Sequence, residues 1–231
     1  MKPRGMVAFV FVICQVGTGN VVSSDVTGSP GNPIVDSAMS EREAMDGLDP
    51  QCPLEVRQRQ KLIDVLYYSF DGKLHRGQLV IDQRLVADIR AVFEVARNKR
   101  FPIGSVIPIS HRRFRKNGEW DDGLSMAANN TSAFNYRLIK GTSVLSQHAY
   151  GWAIDINPFQ NPMVNGTLVR PAGARYDTAV SGTLSKDNPV VRAFQQRGWQ
   201  WGGGWKTVKD FQHFEKALKG NSSPGEARSH R

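Results

Sequence analysis

The sequence predicts a domain of the mixed α and β class, and three observations carry that expectation. Residues 61–81 hold a strand pattern, an Asp71-Gly72 turn signal and a return strand in series. Leu85, Val86, Ile89, Val92, Phe93 and Ala96 then recur at helical spacing. Farther on, Ala153-Ile154-Asp155-Ile156 reads as a short buried strand.

Taken in order, the chain opens on Met1-Lys2-Pro3-Arg4-Gly5, which is short and basic. An apolar run from Met6 to Val16 and a small, polar stretch follow. This is the three-part layout of a secretory signal, expected over residues 1–19, and the run is too short to span a bilayer. It points to a secreted, periplasmic or wall-associated protein with no transmembrane segment in its mature form. Residues 20–51 are rich in Ser, Gly, Pro, Asp and Asn and are expected to be a disordered linker. The folded domain is expected over 52–219, followed by a polar tail at 220–231.

Within the domain, strands are expected from Lys61 to Phe70 and from Leu74 to Ile81. His75 on this hairpin is expected to be a surface or interface residue. Asp82 caps a helix from Gln83 to Asn98, whose apolar stripe is core. Phe101-Pro102-Ile103 ends that helix and leads to a short strand, Ser105 to Ile109. Ser110-His111-Arg112-Arg113-Phe114-Arg115-Lys116 is the densest basic run. It reads equally as a solvated loop or as a contact to an anionic substrate. Ser132 to Leu138 is expected as a polar-lined strand beside a cleft. Ser132, Phe134 and Tyr136 share one face of it, and Asn135 and Arg137 the other. Residues 161–185 form a long loop expected to border the site. Asn188-Pro189 opens a helix from Val190 to Arg197, and Gly198 lies just past its end. Trp199, Trp201 and Trp205 sit among glycines and read as flat apolar walls or as core.

The chain has 231 residues, 40% hydrophobic and 22% charged, which fits one globular domain with a real core. Its 30 basic against 21 acidic residues give a net charge of +9, which draws it to polyanions. Charge is the only feature that suggests a nucleic-acid binder; no nucleic-acid motif is present, and a secretory signal argues against that reading. The two cysteines, Cys14 and Cys52, are too few for a metal cluster. Removal of the signal would leave Cys52 alone. Any metal is therefore held by histidine and carboxylate.

Two stretches supply such ligands: Ser146-Gln147-His148-Ala149-Tyr150-Gly151-Trp152-Ala153-Ile154-Asp155 and Asp210-Phe211-Gln212-His213-Phe214-Glu215. A carboxylate in a strand as apolar as that of Asp155 must be paired or metal-bound to offset its desolvation. A catalytic zinc needs three protein ligands and one open position, and His148, Asp155 and His213 meet that need. Asp210 is the candidate general base. Glu215 is the runner-up, or a partner that orients a ligand histidine. Gly151 and Ala153 are expected to give room around the metal.

The pattern Ser146-x-His148-x-x-Gly151-x-Ala153-x-Asp155 resembles the motif of the zinc D-Ala-D-Ala carboxypeptidases and L-Ala-D-Glu endopeptidases. These are related to lysostaphin-type peptidases and the hedgehog domain. Asp210-x-x-His213 is similar to that family's closing Glu/Asp-x-x-His, with Asp in place of Glu. The resemblance covers roughly residues 53–218. It implies an α+β fold with a central antiparallel sheet and flanking helices. It further implies zinc on His148, Asp155 and His213, Asp210 as base, and an arginine at the developing oxyanion. Arg137, at the end of the polar strand, is the first choice, with Arg112 and Arg113 as alternatives. Ser146, Ser132, Arg112 and Trp205 are expected to contact substrate. The expected function is that of a secreted, monomeric zinc peptidase acting on peptidoglycan stem peptides, at a D-Ala-D-Ala or L-Ala-D-Glu type bond. The rival reading is a zinc-containing wall-binding domain without activity, against which the retained Asp210 argues.

Overall fold

A computed structural model describes residues 26–218. The expected signal, Cys14 and the polar tail from residue 220 lie outside the described residues. The first half contains β1 (Ile34–Val35), α1 (Glu41–Ala44), α2 (Leu54–Arg59), β2 (Gln60–Tyr68), β3 (Leu74–Asp82), α3 (Val86–Asn98), β4 (Ser105–Val106), β5 (Arg115–Lys116), β6 (Glu119–Trp120), α4 (Asp122–Ala127) and β7 (Asn130–Thr131). The second half contains β8 (Ala153–Asp155), β9 (Met163–Asn165), β10 (Leu168–Arg170), α5 (Pro189–Gln195), β11 (Gln200–Trp201), β12 (Lys209–Asp210) and β13 (His213–Glu215).

The architecture is mixed α/β. Among the described residues its strands form several sheets of two or three members, without one clear central sheet. The long hairpin, β2 with β3, pairs antiparallel from Gln60↔Asp82 to Tyr68↔Leu74. Gly72 adopts the left-handed conformation its turn requires, at φ 75°. Asp82 then closes β3 and caps a 3-10 turn, Gln83–Leu85, that runs into α3. The apolar stripe of α3, Ile89, Val92, Phe93 and Ala96, is buried in the main core. α5 opens with Asn188 accepting from the Val190 N–H and packs its Val190, Val191 and Phe194 into the same core.

Residues 26–51 differ from the expected disordered linker. β1 pairs in parallel with β3, and Ser40 and Glu43 close a reciprocal capping box on α1. Ala44 is buried with Cys52, Val56, Val80 and Phe134. Polar side chains anchor this segment where apolar ones are scarce. The Gln78 amide accepts from the Ser37 hydroxyl and the Met39 N–H and donates to the Met39 carbonyl. His75 is not a surface residue: it is buried between Asp36 and Asp71, within 3.0 and 3.2 Å, and stacks on Tyr67.

A three-stranded antiparallel sheet ordered β11-β13-β8 carries the later motifs. Ile154, Ile156 and Phe214 press into the main core, and Phe214 stacks on Phe194 at 4.0 Å between centroids. Trp199 and Trp201 are core as well. Ser132–Leu138 is extended but is not a strand. It makes isolated bridges, Ser132↔Asp155 and Leu138↔Leu145. Residues 161–185 contain the β9–β10 hairpin, and β9 pairs with β12.

Asp82 ties the hairpin to the first motif. It is 1% exposed and accepts from the Arg84 N–H, Nε and Nη2 and from the Trp152 Nε1–H. Burial opposes its charge, but the Arg84 and Trp152 donors outweigh burial and hold its carboxyl below the usual carboxylate range. A depressed folded-state pKa stabilises above the ordinary aspartate value, and that contribution disappears as pH falls through the depressed one. Asp82→Ala should lower the unfolding free energy by about 2–3 kcal/mol at pH 7, read by urea titration. The gap to wild type should narrow once pH drops below about 4. Equal stability at pH 7 would refute the assignment.

Candidate metal centre

Sheet register brings the distant motifs together. His213 on β13 stands directly opposite Asp155 on β8, and cross-strand neighbours place their side chains within reach of each other. The far edge of β8 is held by reciprocal N–H···O=C bonds between Asp155 and Ser132, at 2.9 and 3.2 Å. His148 arrives on a 3-10 turn, Gln147–Tyr150. The Ser146 hydroxyl caps that turn by accepting the His148 N–H, and Gly151 ends it at φ 68°. The Asn135 N–H donates to the His148 carbonyl.

Three donor atoms converge. His148 Nε2 lies 3.2 Å from His213 Nδ1 and 3.3 Å from Asp155 Oδ1, and His213 Nδ1 lies 3.0 Å from Asp155 Oδ1. All three residues are buried. Bonds of about 2.0–2.1 Å to a tetrahedral zinc place its donors about 3.3 Å apart, so the triangle has the right size. The outer nitrogens fix the tautomers. His148 Nδ1 donates to the Ala133 carbonyl at 2.6 Å, and His213 Nε2 donates to the Glu215 carboxylate at 3.1 Å. In the neutral rings the inner nitrogens are then lone pairs, both aimed with the Asp155 carboxylate at one point. These residues fit a divalent cation.

The electrostatics agree. Burial opposes the charge of Asp155, yet His148 and His213 hold its carboxyl well below the usual range. Burial likewise disfavours charge on His213, but hydrogen bonds to Asp155 and Glu215 outweigh it and push the imidazole up to about 10. Positive charge is what the pocket asks for.

Asp210 sits on β12, opposite Met163 of β9, so the long loop region packs beside Asp210. Burial dominates its environment and, with the Asp155 charge, pushes its carboxyl up to about 6 against the attraction of His213 and His148. Its Oδ1 is buried with no hydrogen-bond partner. Gly202 makes this packing possible: a Cβ there would stand 2.5 Å from the Asp210 carbonyl.

The other expected site residues divide. Trp205 is beside the cluster, its ring 5.4 Å from that of His213. Ser146 caps the turn under His148 and the Ser132 backbone brackets Asp155; both serines are buried. The Arg137 guanidinium is paired with Asp122 at 2.9 Å, while its Nε is buried and unpartnered. Arg112 lies on a separate cleft whose walls include none of the three cluster residues, and Arg113 lies over the Phe114 ring. Gly151 makes room for the Asp82 backbone rather than for a metal, since a Cβ would meet the Asp82 nitrogen at 2.8 Å. Ala153 is fully buried. Of the two readings of Glu215, the structure shows the orienting one. The Ala133 carbonyl is a partner that sequence reasoning missed, because a backbone oxygen leaves no trace in residue identity.

The cluster has the donor set of a site that could hold a metal ion. Residues 140–216 match the protein family described as D-alanyl-D-alanine carboxypeptidase. The match supports the family read from the sequence, and with it a D-alanyl-D-alanine carboxypeptidase-like peptidase. No solved structure matches the chain.

Zinc at 100-fold over its Kd should stabilise the protein by about 2.7 kcal/mol in thermal unfolding, and His148→Ala should abolish that gain. Glu215→Gln should weaken zinc about 10–100-fold, read by competition with a chelator.

Proposed function

We propose that the protein is a secreted zinc peptidase that hydrolyses peptide bonds in peptidoglycan stem peptides, of the D-Ala-D-Ala or L-Ala-D-Glu type. One observation carries this reading: a buried His148–Asp155–His213 donor triangle with a buried carboxyl beside it, Asp210, whose Oδ1 has no hydrogen-bond partner. A structural zinc site needs no such carboxyl; a hydrolytic one does.

The geometry supports the following roles. His148, Asp155 and His213 hold zinc, which supplies Lewis acidity that acidifies water and polarises a carbonyl. Asp210 accepts the proton of the attacking water and returns it to the leaving amine. A carboxyl near pKa 6 is suited to both transfers, because its two protonation states are close in energy near neutral pH. Arg137 stabilises the oxyanion. Its segment runs beside the first motif, with the Ser146 N–H on the Arg137 carbonyl and the Asn135 N–H on that of His148. Asp122 anchors one end of its guanidinium. Trp205 walls the site next to His213. The net charge of +9 draws the protein to an anionic wall.

Purified muropeptides incubated with the zinc-loaded protein should yield cleavage products by mass spectrometry. Asp210→Asn should keep zinc and lose about 10²–10⁴-fold in kcat. Zinc binding and wall binding with no cleavage would replace the peptidase with a non-catalytic wall-binding domain.

A further inference from the structure

The basic run at 110–116 is not absorbed by the metal centre. Ser110, His111, Arg112 and Arg115 form one wall of an open cleft of about 620 Å³. Val35 to Met39, Glu43 and Asp46 form the other. The volume suits a small ligand.

Charge alone does not say what enters, since three carboxylates face two guanidiniums and one imidazole. Their existing partners do. Asp36 accepts from the Tyr67 hydroxyl and His75. Glu43 accepts from the Ser40 N–H and hydroxyl. Asp46 accepts from Arg115, which also donates to the Ser110 carbonyl. The acidic wall is thus committed to holding the N-terminal segment and Arg115.

The uncommitted groups are donors. Ser110 is 1% exposed, and its hydroxyl is buried without a hydrogen-bond partner. Such a group in a well-packed domain needs an explanation. His111 Nδ1 accepts the Arg113 N–H at 3.3 Å, which leaves Nε2–H to donate. Burial first, then Arg113, Arg112 and Arg115, lowers its pKa, so the ring is a neutral donor. Arg112 is exposed at the cleft and offers a planar fork.

We propose that this cleft is a second binding site, separate from the metal centre, for a ligand bearing an oxyanion, either a carboxylate or a phosphate ester. The Ser110 hydroxyl, His111 Nε2–H and the Arg112 guanidinium hold that oxyanion. The site stands whether or not the protein cleaves stem peptides.

Isothermal titration of the zinc-loaded full chain at low ionic strength, with N-acetylglutamate and with glycerol 3-phosphate, tests it. At least one probe should bind saturably. Arg112→Ala should weaken that event at least tenfold, and Ser110→Ala about threefold or more without loss of folding, because its hydroxyl has no partner to lose. Carboxylate capture at the metal centre persists in all three proteins and cancels. The tighter probe identifies the source of the oxyanion. Identical isotherms for wild type and Arg112→Ala with both probes overturn the proposal. An event lost in Arg112→Ala but unchanged in Ser110→Ala also overturns it, since exposed charge alone would then account for binding.

Discussion

Three electron-pair donors point at one place inside the protein, and the rest of the structure serves to hold them there. His148 Nε2, His213 Nδ1 and Asp155 Oδ1 lie 3.0–3.3 Å apart in a buried pocket. Without a cation or trapped protons the two nitrogen lone pairs and the carboxylate would repel one another in a medium too poor in water to screen them. The fold therefore invests heavily in orienting them. The Ala133 carbonyl and the Glu215 carboxylate grip the outer nitrogens, Ser146 caps the turn under His148, and Ser132 brackets Asp155.

That demand explains features remote from the cluster. β8 and β13 are only three residues each, yet Ile154 and Phe214 at their centres are fully buried. The apolar residues fix the strands, and alternation turns Asp155 and His213 the other way. Trp152 continues into the core, and its indole N–H reaches Asp82 at the end of the long hairpin. That carboxylate, the Asp82 N–H on the Gly151 carbonyl and the Gln60 amide on the Tyr150 carbonyl join the His148 turn to the main hairpin.

The same chain separates two kinds of charge. At the metal centre, carboxylates and imidazoles neutralise one another or await a cation. At the cleft beside Arg112, the acidic groups already accept structural hydrogen bonds, whereas the Ser110 hydroxyl has no partner. A count of charged residues cannot distinguish these cases; the hydrogen-bond partners can.

The sequence by itself determined the local elements and the identity of the candidate ligands. The hairpin around Gly72, the Asp82 cap and the stripe of α3 follow from turn chemistry and 3.6-residue spacing. His148, Asp155 and His213 follow from donor chemistry and a motif of specific spacing. Tertiary structure decided what those rules cannot reach. It ordered residues 34–44, because Gln78 and β3 supply partners that an apolar-poor segment lacks by itself. It turned the expected Ser132–Leu138 strand into an extended edge with isolated bridges. It assigned Glu215 to orientation, moved Arg112 to another cleft and gave Gly151 to the Asp82 backbone. Residue identity sets which groups can donate, accept or bind a metal. Which of them meet depends on strand register and packing between segments some 60 residues apart, such as Asp155 and His213.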